Sequence, residues 1–84
     1  MPDLYNLEVS NRKSFIEFLA LLHQDFLNKE EEWENPTLDR FLEAMSAYTR
    51  DIPFAYNNNG QTVNADIASW KVFADILKGA KIYE

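Results

Sequence analysis

The chain contains no cysteine, and that absence removes two kinds of answer. No disulfide framework can staple it and no thiolate can hold a metal or attack a substrate, so a reducing compartment suits it and an apolar core has to supply the stability. Glycine is almost missing as well: with Gly60 and Gly79 the only two, no phosphate-cradling loop of the usual spacing can be built. His23 is the single histidine. It lies at the flank of an apolar helical arc, which suits a boundary core residue better than a base or a ligand. No stretch approaches the roughly 18 apolar residues of a membrane span. The opening MPDLYNLEV carries neither a basic leader nor a signal-length apolar run, so a cytoplasmic protein is expected. In Asn35-Pro36-Thr37, the proline blocks glycosylation.

Positive charge is scarce: eight Lys and Arg face fourteen Asp and Glu, for a formal charge of −6. The imbalance is concentrated in the middle, where residues 14–70 hold ten acids and three bases. Such a surface repels phosphate backbones and argues against nucleic acid, whereas it would attract and steer a basic protein. The plainer reading is that net negative charge keeps a small protein soluble. Eighty-four residues suffice for one core and one domain. The scaling laws give roughly 5,200 Å² of folded surface, with only about 64% of the extended chain's surface buried.

What the sequence does have is helical periodicity. Phe15, Phe18, Leu19, Leu22 and Phe26 recur at three- and four-residue steps, Ile16, Ala20, His23 and Leu27 form a second stripe beside them, and Ser10 or Asn11 is placed to cap the start. Asn35-Pro36 reads as a second start, after which Leu38, Phe41, Leu42, Met45, Tyr48 and Ile52 share a face until Pro53 disfavours helix at Ile52. Trp70, Phe73, Ala74, Leu77 and Ala80 line a third helix, capped by Asp66 or Ser69. Gly79 is either its C-terminal cap or a close-packing point. The expectation is an all-α fold, a small bundle of three main helices at about 11–28, 36–51 and 67–80. A long ordered loop fills 53–65, where Asn59-Gly60 supplies the turn. The first and third apolar arcs are wider than such a bundle needs. Either the N-terminal segment, with its alternating Tyr5, Leu7 and Val9, and the middle loop fold back over them, or a second copy of the chain does.

The candidate partner surface is Leu21, Glu30, Glu31, Glu32, Trp33 and Glu34. Leu21 falls among Glu17, Gln24, Asp25 and Asn28 on the polar side of the first helix, where an isolated core has no use for it. Trp33 continues the phase of Leu22 and Phe26, which suits an indole closing the corner between two helices, with the glutamates as its wet collar. The competing reading makes Trp33 an interface anchor inside a charged rim. Glu30, Glu31, Glu32 and Glu34 could offer oxygen ligands to a hard cation, but the stretch lacks the alternating acids and turn glycine of a calcium loop, so no metal and no cofactor is expected.

The chain resembles a small bacterial family of unknown function. The likeness rests on WENPTL (Trp33 to Leu38) followed by Phe41-Leu42, on Ser69-Trp70-x-x-Phe73-Ala74-x-x-Leu77-x-x-Ala80-x-x-Tyr83-Glu84, and on Phe15 and Phe18. It covers nearly everything after Ser10, although the asparagines at 57–59 match no part of the pattern. The resemblance implies a compact bacterial cytoplasmic domain and carries over no catalytic residue. Together these readings lead to a non-enzymatic module that binds a basic protein partner. Its sharper form is toxin neutralisation, because immunity proteins are often small, acidic and cytoplasmic. A homodimeric structural or regulatory protein is the alternative.

Overall fold

In the computed structural model, which describes residues 3–84, Asn11 starts the first helix. Its side-chain oxygen accepts the Ser14 amide at 2.8 Å while the Ser14 hydroxyl accepts the Asn11 amide at 3.1 Å, so two orphan donors are satisfied reciprocally. From that box α1 runs over Arg12–Lys29, Lys29 leaves the helical backbone at φ −139°, and a separate 3-10 turn follows at Glu30–Glu32. Two further helices follow, α2 at Leu38–Asn58 and α3 at Trp70–Ile82, and no strand occurs among the described residues. The all-α expectation holds.

The helix α3 is the middle element, packed against both α1 and α2. Ala74 faces one side, where Leu4, Val9, Phe18 and Leu22 close a first apolar cluster. Val72 faces the other, where Ile52 and Tyr56 close a second. Two residues apart on a helix means about 200° of rotation, so one helix can serve two opposed seams. The result is a slab, 33 × 29 × 19 Å, about three helices wide. Its accessible surface of 5,927 Å² exceeds the roughly 5,200 Å² expected for its mass. The N-terminal segment does fold back as intramolecular cover. It buries Leu4 and Val9 and packs Leu7 on the first cluster, while Tyr5 stays 59% exposed rather than alternating inward.

The boundaries differ from the expected ones for physical reasons. Asn35 does not cap α2: Thr37 does, its hydroxyl accepting the Arg40 amide at 3.2 Å, and Asn35 is buried elsewhere. Nor does α2 end near Ile52, because it runs through Pro53 to Asn58. A proline inside a helix costs roughly 3 kcal/mol. Continuing the helix buries Tyr56 beside Ile52, 4% and 1% exposed, and lets the Tyr56 hydroxyl donate to Asp75 at 2.7 Å. Burial of one such side chain contributes about 1.5–3 kcal/mol and a bond to a charged group about as much again, which offsets the proline. The expected loop at 53–65 is therefore a helix as far as Asn58, and the connection begins at Asn59. Gly60, at φ +70°, turns it, and Val63 and Ala65 pack on the second cluster.

The third helix starts at Trp70, later than expected, because the Ser69 hydroxyl accepts the Val72 amide. Gly79 is a packing point inside α3. The Tyr48 ring lies so close that a Cβ at position 79 would stand 2.1 Å from its nearest carbon.

The helical faces are also turned. Helix α1 directs Phe15, Phe18, Leu21, Leu22, Asp25 and Phe26 inward, and leaves Leu19 and the whole second stripe of Ile16, Ala20, His23 and Leu27 exposed. His23 is thus a surface residue, not a core boundary. On α2, Leu38 and Leu42 are exposed while Ala44 is buried. With α3 as its only helical neighbour, each outer helix has one narrow stripe to bury.

Candidate functional site

Trp33 sits at the corner between α1 and α2, and its surroundings answer what its sequence neighbours leave open. The indole stacks on Phe41 with centroids 5.7 Å apart and meets Phe26 edge-on at 5.1 Å. Its Nε1–H donates to Asp25 Oδ2 at 2.8 Å. That oxygen also receives the Lys81 ammonium at 2.7 Å, and Lys81 Nζ donates to the Tyr5 hydroxyl at 2.7 Å. The ammonium lies 5.8 Å from the Trp33 ring centroid and 5.3 Å from that of Tyr5. Four segments distant in sequence therefore converge on one ion pair, whose side chains are 6% and 12% exposed for Lys81 and Asp25.

Backbone bonds close the same corner. The Glu34 and Asn35 amides donate to the Lys81 carbonyl at 3.1 and 3.3 Å. The Asn35 side-chain amide donates to the carbonyls of Ala80 at 2.9 Å and Tyr83 at 2.7 Å. The last carbonyls of a helix have no partner within it, so residues 34–35 serve as a C-cap for α3 supplied from another part of the chain. Burial pushes Asp25 up, but the bonds from Lys81 and Trp33 and the charges of Lys81 and Lys29 outweigh it, leaving the carboxyl below its usual range. Burial pulls Lys81 down, and its bonds to Asp25 and Tyr5 raise it overall.

Leu21 packs on the first apolar cluster, and Trp33 is likewise half-buried against it, so neither is an exposed anchor. The four glutamates Glu30, Glu31, Glu32 and Glu34 are all exposed. The candidate surface thus divides: its apolar members belong to the core and its carboxylates remain outside. Beyond Glu34 the acidic surface continues into a cleft of about 270 Å³ lined by Glu34, Asn35, Arg40, Glu43, Tyr83 and Glu84.

Sequence reasoning missed Asp25, Lys81 and Asn35. A signal existed for Lys81, which stands four residues after Leu77 and seven after Ala74 and so falls on the apolar arc of its helix. Asp25 carried none, since its position on the wheel looked polar and its partner lies far along the chain.

Two further aspartates tie α2 and α3 together. Asp75 receives Lys71 at 2.6 Å, Lys78 at 3.2 Å and the Tyr56 hydroxyl, while Asp51 receives Arg50 and the Tyr83 hydroxyl. Burial, then the bond to Asp75, pushes the Tyr56 phenol well up, and burial with the Asp75 charge raises Tyr48. Between the N-terminal segment and α3 lies a cavity of about 500 Å³ lined by Leu7, Val9, Trp70, Lys71, Ala74 and Lys78 among others. Both of its lysines are held by Asp75. Among the described residues no three His, Cys, Asp or Glu side chains converge as metal ligands would, and no helix is long and apolar enough to cross a membrane.

No curated protein and no solved structure matches the chain. Residues 11–84 match the family of unknown function DUF7660, and the chain belongs to that family.

Proposed function

Taking membership of a family without an assigned activity as the premise, we propose that the protein is a non-enzymatic interaction module that binds a basic protein through Glu30, Glu31, Glu32 and Glu34 and the adjoining cleft. What carries the reading is how the charges are spent. Among the described residues Arg50, Lys71, Lys78 and Lys81, half of the eight bases, are engaged in ion pairs, against three of the fourteen acids, Asp25, Asp51 and Asp75. A larger share of the cations than of the carboxylates is thus already partnered within those residues. Four of the remaining acids crowd a stretch of five residues, held in a 3-10 turn and a corner tied to α3. A rigid acidic edge gives steering and orientation to a cationic partner. In the cleft beyond it Glu34, Glu43 and Glu84 outnumber the one lining cation, Arg40, and its volume of about 270 Å³ can take a lysine or arginine side chain. Neutralisation of a basic toxin is the narrower form of this reading.

The test is co-purification from the native cell at low and high salt, with wild type and with the variant carrying Glu→Gln at 30, 31, 32 and 34. A basic protein that elutes as salt rises and fails to bind the variant supports the reading. Recovery of no partner, or of one indifferent to both salt and the substitutions, ends it.

A further inference from the structure

None of the described residues covers the outward face of α1, and we infer that it pairs with the same face of a second copy, the two helices antiparallel about a two-fold axis. Ile16, Leu19 and Leu27 are 57%, 41% and 60% exposed, and Ala20 and His23 between them are exposed too. At 1.5 Å per residue the stripe from Ile16 to Leu27 is about 16 Å long. It does not end at the helix flank. Phe15, beside Leu19 on the wheel, lies against Trp70 at 5.3 Å, and Trp70 meets Phe73, so partly exposed rings extend the apolar surface onto α3.

Charge decides the occupant. The start of α1 is basic, Arg12 and Lys13, and its end runs into Glu30 and Glu31; none of the four makes an ion pair among the described residues. Lys29 in the last turn suits the helix dipole, but Arg12 and Lys13 sit at its positive end and Glu30 and Glu31 follow its negative end, an arrangement a helix alone does not favour. An antiparallel neighbour reverses the sign of both terms. Each basic start then lies beside the negative end of the other helix, and each acidic end beside its positive end. The register follows from the sequence. If Ile16 faces the partner's Leu27, then Ala20 faces the partner's His23, and Arg12 and Lys13 lie beside the end of the partner's α1, where Glu30 and Glu31 begin the 3-10 turn. One register therefore brings together the apolar stripe and the oppositely charged helix ends, as an isologous interface requires. The small contact makes the dimer weak and concentration-dependent.

This inference shares Glu30 and Glu31 with the acidic-edge reading but does not rest on it: a salt-sensitive basic partner found on a strictly monomeric protein would leave that reading standing and end this one. Sedimentation over a concentration series, with helicity checked by circular dichroism, provides the test. Wild type should pass from monomer to dimer, and Leu27→Glu, at an exposed position, should remain folded and monomeric. Arg12→Glu/Lys13→Glu and Glu30→Lys/Glu31→Lys should each weaken self-association by about tenfold or more, yet mixed in equal amounts they should form a heterodimer, because the facing ends are again opposite in sign. A wild type that stays monomeric, or folded charge variants that dimerise as wild type does, or a mixture that associates no better than its components, would overturn the inference.

Discussion

Replacing Lys81 by methionine tests the central corner most directly. Methionine keeps the length and apolar stem of lysine but removes the ammonium that Asp25, Tyr5 and the Trp33 ring share. Forming a buried ion pair contributes little net stability, since desolvation consumes most of the attraction, whereas removing one partner strands the other and costs about 3–5 kcal/mol. An 84-residue chain has roughly 4–13 kcal/mol in total. The variant should therefore lose about a quarter of its stability or more, read as a lower urea midpoint followed by tryptophan fluorescence. The cost should also depend on pH. Without Lys81, only the Trp33 N–H and the Lys29 charge oppose burial at Asp25, so its folded pKa lies above the wild-type value and protonation costs the folded variant less as pH falls. In wild type the folded pKa is depressed, and stability is present above the ordinary 3.8 and lost as pH falls through the folded value. The gap between the two proteins should thus be wide at pH 7 and narrower near pH 4. Lys81→Met/Asp25→Leu, which removes both charges, should recover part of the loss, though the Trp33 N–H then lacks its acceptor. A cost below about 1 kcal/mol at pH 7, or one that does not change with pH, would refute the reasoning.

Gly79→Ala would gain about 1 kcal/mol of helix propensity but must displace the Tyr48 ring, at a cost of about 1–3 kcal/mol or more. A lower melting temperature is expected, and a higher one would mean that the ring moves freely. Pro53→Ala, at an exposed position, restores a backbone donor inside α2 and should raise the melting temperature by stabilising the fold by about 1–3 kcal/mol; a neutral result would show that α2 has already adapted to the ring. Alkaline titration should unfold the protein early. Tyr48, Tyr56 and Lys81 all have folded values above their ordinary 10.0, 10.0 and 10.5. The unfolded chain therefore releases those protons first, stability is full below pH 10, and it declines as pH rises through the raised values. A flat stability profile from pH 9 to 11.5 by circular dichroism would contradict this.

By itself the sequence determined the class of fold, the number of helices and most of their starts, because these depend on local physics. Periodicity selects helix over strand, and Asn11 and Ser69 cap as their side chains allow. The family likeness was legible too, and the two stretches that suggested it meet in the fold: Trp33 and Asn35 are bonded to the Asp25–Lys81 pair and to the end of α3. Only the tertiary structure decided how far α2 runs, since Tyr56 meeting Val72 and Asp75 outweighs the proline. It alone decided which arc of α1 faces inward, because a wide apolar arc permits several rotations and a single neighbour buries one. It also separated Trp33 from its glutamates, because an indole can reach an acceptor inside the protein while four clustered carboxylates without cations can be accommodated only in water.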